Sequence, residues 1–275
     1  MSVYDNYSVL MSVYIKEKPE YLRESMLSIY NQTIPTNDFV LVCDGPLTKE
    51  LDCIIEEMQK LFKSVLHVVR LPVNQGLGIA LNKGIQVCKN ELVARMDSDD
   101  ISREDRCERQ LEIFNKFSDI SLVSGTIEEF FTSIDTVENR RLVPETQEEI
   151  LQFAKKRNPF NHPCIMYRKS DVLKVGSYQD FYLMEDYYLW VRMLLNGAKG
   201  YNIQTPLLWA RTGLGMYGRR GGWLYVESQI KFFRYLYTHH FISLHECVCQ
   251  SMIRVIGSLI PSRMRAIGYK LFLRN

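Results

Sequence analysis

The sequence predicts an α/β protein built on a mostly parallel, Rossmann-like sheet with helices on both faces. Three observations carry this prediction. Short apolar runs and amphipathic stretches alternate four times between Tyr7 and Met96, the rhythm of strand–helix units that feed a parallel sheet. The runs are continuously apolar, as expected of strands covered on both faces. The stretches between them repeat their apolar residues at helical spacing.

In chain order, residues 7–14 make the first buried strand. Pro19 suits the first turn of a helix reaching about residue 31, with Leu22, Met26, Leu27, Ile29 and Tyr30 at roughly helical spacing. Residues 39–43 form a second strand, stopped by Asp44, Gly45 and Pro46. Residues 48–62 form an amphipathic helix with Leu51, Ile54, Ile55, Met58 and Leu61 on one face. A third strand spans 65–71, a helix 78–88, and a fourth strand 91–96 runs straight into Asp97. Ligands of such sheets bind beyond the carboxyl ends of the strands, so Asp44 and Asp97 are expected on one rim. Beyond residue 100 the pattern is less regular. Helices are predicted at 104–117 and within 144–156, and strands at 120–125 and 164–168. A helix over 185–195 has acids in its first turn and Asn196-Gly197 as its stop. Residues 211–222, rich in Gly and Arg, are predicted to be a mobile loop, and the remainder to be helical and basic.

With 275 residues, 46% apolar and 24% charged, the chain is long enough for one large domain with an appendage and is not of disordered composition. No apolar run approaches the ~18 residues of a membrane span. The first residues lack a basic region followed by an apolar core. The expected location is therefore cytoplasmic. Seven cysteines, odd in number and scattered, fit a reducing compartment, and Cys43, Cys88 and Cys164 are expected as small buried apolar residues. Charge is uneven. Residues 211–275 hold ten Lys or Arg against two acids, while residues 1–210 hold 24 bases against 30 acids. An acidic body with a basic tail points to a cation in front and an anionic partner behind.

The main chemical signal is Asp97-Ser98-Asp99-Asp100 at the end of a buried strand. Three carboxylates in four positions repel one another, and a hard divalent cation with oxygen ligands relieves that repulsion. Such a cation keeps positions for phosphate oxygens and stabilises a diphosphate as a leaving group. The competing interpretation is an acidic turn capping the next helix. Asp44 fits either a contact to a base N–H or ribose hydroxyl, or an Asp-Gly turn. The loop from Asn74 to Gly78 fits either backbone donors aimed at phosphate or a tight turn needing glycine at Gly76 or Gly78. Glu185 and Asp186 open a helix. They are either dipole-favourable acids, with Trp190, Met193 and Leu194 as core behind them, or the source of a general base that deprotonates a hydroxyl. His162, in Asn161-His162-Pro163, touches phosphate or acceptor, or is structural.

Taken together and in this order, the segments resemble the family 2 glycosyltransferases of GT-A fold, particularly the bacterial enzymes that build capsular and exopolysaccharide repeat units. The matching segments are 9–14, 21–33, 40–45, 74–76, 94–100, 161–163 and 185–190, and the resemblance covers about residues 7–212. It implies a nucleotide-sugar-binding half over 1–100, an acceptor half over 101–212, and an extension over 213–275. It also implies an inverting transfer from a nucleotide-diphosphate sugar, by default a UDP-sugar, to a hydroxyl of a glycan acceptor. Tyr14, Asp44, Asn74, Gly76, Asp97 and Ser98 would bind the donor, with Mg2+ or Mn2+ held by Asp97 and Asp99. Asp186 would be the catalytic base, and Glu185, His162 and Trp190 would shape the acceptor site. In one departure, Leu81 precedes Asn82 where the family often has Arg, so a guanidinium expected near the nucleotide is missing unless Lys83 or another base replaces it.

The tail lies outside the resemblance. Residues 247–275 carry five bases and no acid, with an apolar set that includes Met252, Ile253, Val255, Ile256 and Leu259, and Pro261 is expected to break the stretch into two helices. Basic and amphipathic together predict a helix in the membrane interface; a core helix with solvated Arg is the alternative. A lipid-linked (polyprenyl-diphosphate) acceptor at the inner leaflet would give the tail a reason. It would make the protein peripheral at the inner face of the cell membrane. Arg219 and Arg220 would contact a lipid or donor diphosphate, or belong to a solvated loop. A sugar nucleotidyltransferase is a second candidate, although residues 14–19 lack the Gly-rich phosphate loop that class needs after its first strand. A non-catalytic membrane-associated protein of the same fold is a third. Nucleic-acid binding is not expected, since the excess of bases over acids is confined to the apolar tail and no aromatic–basic platform is evident.

Overall fold

The computed structural model describes residues 4–212 and 222–259. Arg219, Arg220, Pro261 and the rest of the segment after residue 259 lie outside the described residues.

Four parallel strands form the first half of the sheet: β1 (Tyr7–Val13), β2 (Asp38–Cys43), β3 (Leu66–Arg70) and β4 (Leu92–Asp97). Between them run α1 (Pro19–Tyr30), α2 (Lys49–Phe62) and α3 (Leu77–Val87). Thr48 starts α2 by accepting the Leu51 N–H on its hydroxyl, which fixes the boundary. The second half contains β5 (Ile101–Ser102), α4 (Arg106–Lys116), β6 (Ile120–Phe130), β7 (Val137–Arg141), α5 (Gln147–Phe153), β8 (Met166–Arg168), α6 (Lys169–Lys174), α7 (Glu185–Leu195) and β9 (Lys199–Arg211). The strand order is β3-β2-β1-β4-β8-β6-β9-β5, with β7 on the other part of β6. The first half is wholly parallel, as expected. The second is mixed: β8 runs antiparallel to β4 and β6, whereas β9 runs parallel to β6.

Alternation along the central strands builds two cores. Val9, Met11, Phe39, Leu41, Leu92 and Ala94 point to the face covered by α1, α2 and α4. Leu10, Val40, Val42 and Val93 point to the face covered by α3, α5, α6 and α7. Each strand thus contributes to both layers, which is why its sequence reads as a continuous apolar run. Cys43, Cys88 and Cys164 are buried free thiols in these cores, and burial pushes the Cys43 thiol up to about 11. A third cluster joins Phe181, Met184, Tyr187 and Val191 to Phe232, Phe233 and Leu236 of α8 (Trp223–Thr238). The last described helix, α9 (Leu244–Leu259), packs on α8 through Cys247 and exposes Met252, Ile253 and Ile256 at 58–59%. Among the described residues no helix is long and apolar enough to cross a membrane.

Candidate active site

The register of the parallel half levels its carboxyl edge. Val13 pairs with Cys43 and Ser12 with Asp97, so Tyr14, Asp44 and Ser98 follow on one rim, as chain order predicted. Asp44 is nearly buried, and its two carboxylate oxygens accept the backbone N–H groups of Gln75 (2.8 Å) and Gly76 (2.9 Å). The Asn74 side-chain amide donates to the Asp44 carbonyl at 3.2 Å. Asp44 and the 74–76 loop therefore form one unit. The backbone N–H groups of Gln75 and Gly76 are turned onto the Asp44 carboxylate. Gly76 has φ +90°, so the tight-turn interpretation of its glycine holds.

At the end of β4, one carboxylate oxygen from each of Asp97, Asp99 and Asp100 lies within 4.8 Å of the others. Burial, then Asp97 and Glu17, push the Asp99 carboxyl up to about 7. Burial, then Asp99 and Asp97, raise Asp100 well above the carboxylate range. Like charges are held together here at an electrostatic disadvantage, and the all-oxygen donor set fits a hard divalent cation. The surroundings hold the cluster rigidly. Ser25 donates to the Asp97 carbonyl (2.7 Å), and Ser98 donates its hydroxyl to Glu17 (2.5 Å). Arg211, at the end of β9, donates its N–H to Asp100 (2.8 Å) and its Nε to the Asp99 carbonyl (3.0 Å), and it pairs with Glu24.

Arg95 sits two residues before Asp97 on the same face of β4. It is almost fully buried and pairs with the Asp97 carboxylate. Around it converge Tyr178 and His162, whose ring nitrogen and hydroxyl are 3.0 Å apart. Burial and then Arg95 hold His162 well below its usual range, so it is neutral at pH 7. The buried Tyr178 phenol feels Arg95, Asp186 and Asp97, which places it within Coulombic reach of both the acidic cluster and the start of α7. Asp186, half-buried there, accepts from the Asn158 amide at 2.6 Å. Glu185 is raised by burial and also by Asp186. A Cβ added at Gly78 would meet Glu185 Cγ at 3.6 Å, so α7 opens against the first turn of α3, which follows the loop that Asp44 holds.

Residues 8–176 match the family described as Glycosyl transferase family 2. The chain belongs to that family. One relative, the UDP-Gal:alpha-D-GlcNAc-diphosphoundecaprenol beta-1,3-galactosyltransferase of Escherichia coli, is 36% identical over 98% of this chain and 97% of its own length. The amylovoran biosynthesis glycosyltransferase AmsE of Erwinia amylovora is 34% identical over 96% and 98%. Among solved structures, S. aureus TarS 1–349 in complex with UDP-GlcNAc superposes with a TM-score of 0.69 at 17% identity, covering 98% of this chain and 76% of that one. The mannosyltransferase PcManGT from Pyrobaculum calidifontis, in complex with GDP-Man and Mn2+, gives 0.66 at 12% identity, over 98% and 81%. These likenesses show the GT-A fold.

In this family 2 glycosyltransferase, Tyr14, Asp44, Asp97, Ser98 and Asp99 stand on one rim, and Glu185 and Asp186 approach it from α7. One expectation is corrected. Trp190 shapes no acceptor surface: it is fully buried among Phe160, Tyr167, Tyr178 and His162, because the helix turns it inward, a turn beyond Asp186, onto the sheet. Leu81, where the family often carries Arg, is likewise buried in the core. The sequence reading missed Arg95, Glu17, Tyr178, Asn158 and Arg211. Arg95 did leave a signal, being a lone charge inside an apolar strand and two positions from Asp97.

Proposed function

We propose that the protein is an inverting glycosyltransferase that moves a sugar from a nucleotide-diphosphate sugar, with UDP as the nucleotide, to a hydroxyl of a lipid-linked glycan in bacterial surface polysaccharide synthesis. The observation that carries this is the convergence of the Asp97–Asp99–Asp100 cluster and Asp186 on the Tyr178–His162–Arg95 group. The donor side has the acids for a cation, and the acceptor side has an oriented carboxylate. The E. coli relative's UDP-Gal and the UDP-GlcNAc bound to TarS support the uridine nucleotide, and the diphosphoundecaprenol in that relative's name supports the lipid-linked acceptor.

In this reading Asp97 and Asp99 would hold Mg2+ or Mn2+, which when bound neutralises the donor diphosphate and its developing charge. Asn158 fixes the Asp186 carboxylate. Asp186 takes the proton from the acceptor hydroxyl, whose oxygen attacks the anomeric carbon as the bond to the diphosphate breaks. The nucleoside diphosphate leaves with the bonding electrons, and a single displacement inverts the centre. The burial of Arg95 and Tyr178 keeps their hydrogen-bonding groups preorganised. The exposed apolar residues of α9 and the basic tail would dock the protein at the inner face of the cell membrane, near a lipid-linked acceptor.

The test is Asp186→Asn. It should bind the nucleotide sugar with near-normal affinity and lose about 10²–10⁴-fold in the transfer rate, measured as nucleoside diphosphate released on acceptor addition. Normal turnover by this variant removes the base assignment.

A further inference from the structure

The connection between α6 and α7 holds two residues with side chains, Ser177 (φ +54°) and Leu183 (φ +57°), in the left-handed backbone region, which L-residues seldom occupy. Such conformations persist where the surroundings over-determine them, and they gather at functional sites. Ser177 is over-determined from two helices. From α3, the Asn82 side-chain oxygen accepts the Ser177 hydroxyl and the Tyr178 N–H, the latter at 2.9 Å, and its amide donates to the Tyr178 carbonyl. From α7, the buried Arg192 guanidinium donates to the carbonyls of Val175 and Ser177, the latter at 2.6 Å, and lies over the Tyr188 ring. The Ser177 N–H closes onto the Val172 carbonyl at 2.9 Å. One asparagine thus satisfies polar groups of two consecutive residues, at the place where the backbone is least favourable.

The residue fixed by this clamp is Tyr178. Its buried hydroxyl is 3.0 Å from the His162 ring nitrogen and within Coulombic reach of Arg95, Asp186 and Asp97. α3 carries the other side of the contact. A Cβ added at Gly78 would meet Glu185 Cγ at 3.6 Å and Tyr178 Cβ at 3.9 Å. Gly78 and Asn82 are four residues apart and share a helix face. That face starts just after the loop held by Asp44, receives the start of α7 at Gly78, and grips the Tyr178 peptide at Asn82. Leu81, one residue earlier, turns into the core instead.

We propose that Asn82 is a positioning residue for the transfer: by clamping the strained Ser177–Tyr178 peptide onto α3, it sets where the Tyr178 phenol and the Asp186 carboxylate stand relative to the donor rim. The proposal rests on the reading of Asp186 as the base and adds the residue that fixes its distance from the donor. Asn82 acts through Tyr178 and through the chain that runs from Tyr178 into α7. Without the clamp, Ser177 is free to leave the left-handed region, and the 176–184 connection relaxes with it. Arg192 holds the same loop from within α7, so α3, the loop and the start of α7 move as one body. The donor contacts of Asp44 and the Asp97 cluster do not run through this loop. Loss of Asn82 therefore separates the two sides of the reaction without emptying the donor side.

The experiment is Asn82→Ala in the full chain, assayed well below its unfolding temperature, with amide hydrogen exchange followed at Tyr178. The Tyr178 amide should exchange faster, since its acceptor is gone. A misplacement of about 1 Å costs on the order of 10²-fold, so kcat should fall at least about tenfold, while the KM for the nucleotide sugar stays within about twofold. Glycine takes a left-handed φ without strain, so in an S177G background the same N82A change should cost at least about threefold less in kcat than it does alone. Wild-type kcat in folded N82A with the Tyr178 amide exchanging faster overturns the proposal, because the loop then loosens without consequence. A KM that rises with kcat unchanged, or a kcat loss undiminished in the S177G background, overturns it as well. If N82A does not fold, N82D keeps the acceptor oxygen, loses the donor to the Tyr178 carbonyl, and is judged by the same criteria. The Asp186→Asn assay fails or succeeds separately. Normal turnover there with kcat lost in N82A removes the base and keeps the clamp on Tyr178, and the reverse pattern removes the positioning role and keeps the base.

Discussion

Asp99 is buried beside Asp97 and Glu17, and both the desolvation and the like charges oppose its ionised form. Its carboxyl is raised from the ordinary aspartate value to about 7. The folded state therefore binds this proton more tightly than the unfolded chain does. The stabilisation is fully present below the unfolded pKa near 4 and is lost as pH rises through about 7. A divalent cation reverses the balance by favouring the ionised form. The metal-free protein should thus be less stable at pH 7.5 than at pH 5.5 as far as this site contributes. Mn2+ should raise the unfolding temperature more at the higher pH. Asp99→Asn should flatten the pH dependence and remove most of the Mn2+ effect in the same thermal scans; an unchanged Mn2+ shift would exclude Asp99 as a ligand. The two aspartates were legible in the sequence because their spacing at a strand end is itself the signal. Tyr178 and Asn158 were not, since they come from irregular segments and gain meaning only through contacts with His162 and Asp186. Trp190 misled because it shares a helix face with Asp186 but lies one turn further along, where α7 packs onto the sheet.

Between β2 and α3, Asp44 and the 74–76 loop act as one element. Asp44 accepts the loop's N–H groups, and Gly45 lets the chain pass underneath. Gly45 has φ +89°, and a Cβ there would meet the Asn74 backbone nitrogen at 2.6 Å. Gly45→Ala should therefore destabilise by about 1–3 kcal/mol through backbone strain. It should also displace the loop from the rim, so that the KM for the nucleotide sugar rises more than kcat falls. A variant with wild-type unfolding and wild-type KM would show that the loop's position does not matter to the donor. This element explains how far sequence reading carries. The parallel half was legible because each buried strand is a short, unbroken apolar run closed by a turn. β9 was missed for a physical reason. Gly200 and Pro206 interrupt its pattern, and Gln204 and Thr205 bulge where the register against β6 shifts between Gly125 and Thr126. Its residues pair across the sheet rather than with sequence neighbours, and only that pairing brings Arg211 to Asp99 and Asp100.

Charge divides the whole molecule. Residues 1–210 carry six more acids than bases, and residues 211–275 carry eight more bases than acids. Near an anionic bilayer the two parts experience opposite forces, so the chain should be oriented as well as attracted, its basic end toward the lipid and its acidic rim away. The apolar side chains that α9 exposes add burial once that end is in contact, and burial is insensitive to salt whereas the charge attraction is not. The two contributions can be separated by sedimenting the full chain with vesicles of phosphatidylglycerol and phosphatidylcholine mixed in varying ratio. Binding should rise with the anionic fraction and weaken between 0.05 and 0.5 M salt, since roughly 1 kcal/mol per basic residue near the surface is screened. M252S/I253S/I256S should weaken binding at high salt, where charge attraction is screened, while leaving the salt-dependent part in place. Binding that ignores the anionic fraction would remove the basic end from the membrane contact, a triple variant that binds as wild type at high salt would remove α9, and no sedimentation with any vesicle would show that the acceptor reaches Asp186 from solution.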